Sequence, residues 1–70
     1  MTEHERTFLR RLLDWDGAAS ARDLGPQTDQ KENSARQSCK RKGWATYDGG
    51  AVGYWRLTDA GKQAYFAETD

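Results

Sequence analysis

Ser34-Ala35-Arg36-Gln37-Ser38-Cys39-Lys40-Arg41-Lys42-Gly43-Trp44-Ala45, followed after a glycine-rich gap by Trp55-Arg56-Leu57-Thr58-Asp59-Ala60-Gly61, is the stretch that decides how this chain folds. The first part reads as the close of a helix. Lys40, Arg41 and Lys42 complement the negative end of the helix dipole, and Gly43 supplies a left-handed stop. The second part reads as a short strand passing into a helix capped by Thr58.

Working upstream, Thr28 or Asp29 is the expected cap of a helix that runs to about Lys42. By helical period, Ala35 and Cys39 point inward with part of Glu32 and Lys42. Gln30, Lys31, Asn33, Ser34, Gln37 and Arg41 fall on open faces. Gly25-Pro26 ends a brief helix over Ala21 to Leu24, which Ser20 caps, and Ala18-Ala19 reads as a short extended segment. The first helix is expected from Glu3 to Asp16, with Phe8, Leu9, Leu12 and Leu13 as its apolar stripe and Gly17 as its stop. Glu3 and Glu5 suit its positive N-terminal end. Trp15 either covers the core or faces a partner.

Downstream, Trp44 to Asp48 and Tyr54 to Leu57 are expected strands, joined by Gly49-Gly50-Ala51-Val52-Gly53, whose glycines permit hairpin backbone angles. Trp55 and Leu57 share the core face, which turns Tyr54 and Arg56 outward. A final helix is expected from Asp59 to about Glu68. Gly61, Ala64 and Tyr65 line up inward there, with Phe66 at the edge.

Composition narrows the function classes. Seventy residues form one domain, 1–70, whose core supplies only a few kcal/mol. With no isoleucine and Val52 as the single valine, the core must rest on leucines and on three tryptophans, three tyrosines and two phenylalanines. Zero net charge hides an asymmetry: −2 over residues 1–30, +4 over 31–45 and −2 over 46–70. The positive segment is the helix with the open polar faces, where phosphate contacts would be needed. One cysteine excludes an internal disulfide, and one cysteine with His4 leaves no zinc ligand set. No apolar run of membrane length or signal-peptide pattern occurs, so the expected compartment is the cytoplasm. His4, Cys39 and the carboxylates sit on separate elements without triad or ligand spacing, so neither an enzyme nor a cofactor is expected. The glycine run lacks the lysine and helix of a phosphate-binding loop.

The stretch from Asp29 to Lys62 resembles a winged helix-turn-helix domain, and it is similar to the minimal core of the multiple-antibiotic-resistance (MarR)-type regulators. Ser34 to Ala45 resembles that family's recognition helix with its basic residue, glycine and two apolar positions. Trp55 to Lys62 resembles its last wing strand and the threonine-capped helix after it. The resemblance implies an α+β fold: a helix, a short helix-turn-helix, a two-stranded β-wing and a C-terminal helix. It implies a small DNA-binding transcription regulator or accessory factor with helix 29–42 in the major groove. Gln30, Lys31, Asn33, Ser34 and Gln37 are then candidates for base edges, while Arg36, Lys40 and Arg41 hold phosphates. Arg56, with Tyr47 and Tyr54, would add wing contacts. The family's basic wing tip is replaced by Gly-Gly-Ala-Val-Gly, and its long dimerising helices are absent or shortened. A homodimer would therefore use the first or last helix, through Trp15, Tyr65 or Phe66. The alternative is a winged-helix protein-interaction module that does not bind DNA.

Overall fold

The computed structural model describes residues 1–24, 30–50 and 53–69. Its elements are α1 (Glu3–Asp14), β1 (Ala18–Ser20), α2 (Ala21–Leu24), α3 (Gln30–Arg41), β2 (Ala45–Asp48), β3 (Tyr54–Leu57) and α4 (Asp59–Thr69). They make a mixed fold of four helices and a three-stranded antiparallel sheet. The expected breaker Gly25-Pro26, the cap at Thr28 or Asp29 and the hairpin residues Ala51-Val52 lie outside the described residues.

Each helix boundary has a local cause. Thr2 caps α1 in a reciprocal box: Glu5 N–H donates to Thr2 Oγ1 at 3.1 Å, and Thr2 N–H donates to Glu5 Oε1 at 2.8 Å. The helix stops at Asp14 rather than Asp16. Asp16 itself takes the left-handed conformation, φ 59°, with Gly17 next at φ 89°. Gly17 N–H then reaches Leu12 O at 2.7 Å and Asp16 N–H reaches Leu13 O at 3.1 Å, a Schellman closure. The same closure ends α3, where Gly43 has φ 79°, Trp44 N–H donates to Cys39 O at 2.9 Å and Gly43 N–H to Lys40 O at 3.2 Å. Ser20 caps α2 by accepting from Asp23 N–H at 2.9 Å.

The sheet corrects the two-stranded expectation. Its order is β1-β3-β2, because Ala18-Ala19-Ser20 pairs with Arg56, Trp55 and Tyr54 along the free edge of β3. On the other edge Tyr47 faces Trp55, and Ala45 faces Leu57. Alternation puts Ala19, Trp55 and Tyr47 in one row on the core side, and Ala18, Arg56 and Thr46 in one row on the outer side.

Phe8, Leu9, Leu12, Ala19, Leu24, Cys39, Ala45 and Trp55 form the core, with Met1, Trp44, Leu57 and Tyr65 packed against it. Phe8 meets Trp55 edge to face at 5.2 Å between centroids, the geometry aromatic quadrupoles favour. Trp15 does not cover the core; it is 50 % exposed. α4 docks through its first turn. Thr58 Oγ1 donates to Gly43 O at 2.6 Å and accepts from Gly61 N–H at 3.0 Å, and Thr58 N–H donates to Trp44 O at 3.1 Å.

Candidate nucleic-acid interface

α3 is held by one narrow side. Ala35 and Cys39 are buried one turn apart against the core, and a second anchor sits beside them. Glu5, only 1 % exposed on α1, accepts from Ser38 Oγ at 2.9 Å and from Lys42 Nζ at 3.1 Å through one oxygen, while Thr2 N–H serves the other. Burial pushes the carboxyl upward. The backbone bond from Thr2, then Lys42, Ser38 and the Thr2 side chain, outweigh that and bring it from 4.5 down to about 2. A charged, fully bonded carboxylate therefore sets how α3 lies on α1.

The opposite side of α3 is open. Gln30, Asn33, Ser34, Gln37 and Arg41 are all exposed and recur at helical spacing as one stripe, with Lys31 and Lys40 at its two borders. Glu32, the single acidic residue of α3, is turned away and lies 3.8 Å from Arg11. The stripe therefore presents amides, a hydroxyl and cations with no carboxylate among them. Lys40 Nζ stands 5.9 Å over the Tyr47 ring, which ties this border to the β2–β3 hairpin. Lys42 Nζ stands 4.6 Å over Trp44.

Two expected site residues lie elsewhere. Arg36, expected on phosphates, is only 3 % exposed, its guanidinium 5.5 Å from the centroid of the Phe8 ring. Burial lowers its pKa, against the pull of Glu32 and with the push of Arg11. It packs along α1 and is closed off from a groove ligand, because its position on the helix falls next to the Ala35–Cys39 seam. Arg56 is exposed, but on the outer row of the sheet, whereas Tyr47, which meets Lys40, belongs to the core-side row. Arg56 is thus separated from the α3 stripe by the thickness of the sheet. Glu5 is the anchoring residue that composition and charge concealed. Thr2-x-x-Glu5 signals a capping box, but Ser38 and Lys42 arrive only when α3 docks.

Cys39 is fully buried. Burial first, and the charge of Glu5 second, push its thiol up to about 12 against the pull of Lys42. A thiol reagent at pH 8 is expected to leave the folded protein unmodified and to react at the rate of unfolding. Rapid labelling under native conditions would contradict this burial. Among the described residues, no group of three potential ligands converges on a metal position, and no helix is long and apolar enough to cross a membrane. No protein-family model, curated protein or solved structure matches the chain.

Proposed function

We propose that this chain is a small winged-helix protein that binds duplex DNA with α3 in the major groove, acting by site occupancy as a regulator or accessory factor. The supporting observation is the carboxylate-free stripe of Gln30, Asn33, Ser34, Gln37 and Arg41, bordered by Lys31 and Lys40, with Lys40 against Tyr47 of β2; in this reading β2 and β3 form the wing. Glutamine and asparagine amides pair bidentately with adenine in the major groove, and arginine and lysine satisfy guanine or phosphate. A homodimer, engaging two half-sites, would raise affinity.

Amide-resolved NMR titration with a mixed-sequence duplex tests this reading. Shifts confined to residues 30–41 and the hairpin are expected. With Lys31, Lys40 and Arg41 on phosphates, log affinity should fall against log salt with a slope of roughly −3. Asn33→Ala should relax preference at one base pair at a cost of about 1–3 kcal/mol, and Lys40→Gln should weaken all sequences alike. An absence of shifts at low salt would sink the reading. A protein-interaction module is the second reading, supported by Trp15 and Phe66, exposed at 50 % and 54 %. Its binding would depend weakly on salt and centre on those aromatics.

A further inference from the structure

We propose that Tyr47 is a positioning residue for the duplex interface: its ring, laid against Gly53, holds the Lys40 ammonium at the hairpin border of α3. Two hairpin glycines point to this role. Hairpin turns use glycine where φ is positive, yet among the described residues the glycines of positive φ are Gly17 and Gly43, not Gly49 or Gly53. Space explains the hairpin glycines instead. A Cβ on Gly53 would overlap the Tyr47 hydroxyl and come within 2.8 Å of Cζ and 2.9 Å of Cε1, and one on Gly49 would lie 3.3 Å from Cε2. The ring therefore occupies the place that a side chain at position 53 would take.

That seat is built from the core outward. Tyr47 faces Trp55 across the β2–β3 ladder, with ring centroids 4.7 Å apart, and Trp55 in turn meets Phe8 edge to face. Tyr47 is still 41 % exposed, and Lys40 Nζ stands over its ring at 5.9 Å. Among the described residues no carboxylate pairs with Lys40, so the ring is what orients its ammonium. A lysine carries its charge on a flexible four-carbon stem, and one aimed before binding loses less freedom when it meets a phosphate. The cation of this border thus comes from α3, and the hairpin supplies the ring that aims it. The consequence for DNA rests on the duplex-binding reading; the seat of the ring does not.

The test uses the full chain and Gly53→Ala. The added Cβ meets the free end of a flexible side chain rather than backbone, so the fold should survive while Tyr47 leaves its seat. Tyr47→Leu, which removes the ring, is the second variant should Gly53→Ala unfold. NMR cross-peaks between the Lys40 side chain and the Tyr47 ring are expected in the wild type, and Gly53→Ala should lose them. Duplex affinity should fall about two- to fivefold in either variant, the size of an exposed cation–π contact, while Tyr47→Phe should keep it. In a Lys40→Gln background the same substitutions should lower affinity no further, because the ring works through Lys40. Missing cross-peaks in the wild type overturn the proposal whatever the duplex does. An equal loss in the Lys40→Gln background overturns the route through Lys40 and leaves the ring as a support of the hairpin alone. If the wild type binds no duplex, the duplex reading fails and the positioning role with it, while the cross-peaks still decide where Lys40 is held.

Discussion

Gly61→Ala will lose about 2–4 kcal/mol of stability, enough to unfold most of a domain this small. Helix propensity argues the other way, since alanine in a helix is worth about 1 kcal/mol over glycine. The opposing effect is contact. A Cβ on Gly61 would overlap the Trp44 carbonyl oxygen and come within 2.8 Å of Leu57 Cδ1. The carbonyl cannot give way, because it accepts from Thr58 N–H in the turn that also bonds Thr58 Oγ1 to Gly43 O. Relief requires α4 to lift off α3's end, which loosens Leu57, Trp44 and Tyr65 together. Urea denaturation followed by circular dichroism gives the answer. A midpoint equal to or above the wild type would show that α4 does not dock at this distance.

Acid will expose the Glu5 anchor. Its folded pKa, about 2, lies below its usual 4.5. The unfolded chain therefore binds the extra proton between those values, and stability falls as the pH drops from 4.5 to about 2. Fully expressed, the difference is on the order of 3 kcal/mol, present above pH 4.5 and gone at the bottom of the window. Glu5→Gln keeps the shape and an acceptor for Thr2 but removes the charge that meets Lys42. The variant should start less stable at pH 7, by about 2 kcal/mol, and lose less between pH 4.5 and 2. Thermal melts of both proteins across that range measure the gap between the two curves. A constant gap down to pH 2 would show that Glu5 titrates normally and does not anchor α3. The native amide spectrum of Glu5→Gln should also change most along Ser38 to Lys42, where α3 loses its fixed seat.

Local chemistry is the part that could be read from the residues in order. Thr58 as a cap, Gly43 as a left-handed stop, the Phe8-Leu9-Leu12 stripe and the inward Ala35 and Cys39 each depend on neighbours within about one helical turn, and each stands where the periodicity puts it. The open polar stripe of α3 was legible for the same reason, as were the outward Tyr54 and Arg56.

Contacts between residues far apart in the chain were not legible. Ala18-Ala19-Ser20 has no strand composition of its own. It becomes β1 because β3 offers an unpaired edge and the ladder satisfies its backbone groups. Arg36 carries a charge that composition assigns to the surface, yet the Phe8 ring and the side of α1 enclose it. Glu5 reads as a helix-dipole partner and turns out to be a buried anchor, since its other ligands lie 33 and 37 residues away. Sequence alone therefore determined the helices, the Ser20 and Thr58 caps, the Gly43 stop and the chemistry of the exposed face. Tertiary structure alone decided which charges are enclosed, which edge gains a third strand and how α3 is held, because burial and pairing depend on surfaces that exist only once distant segments have met.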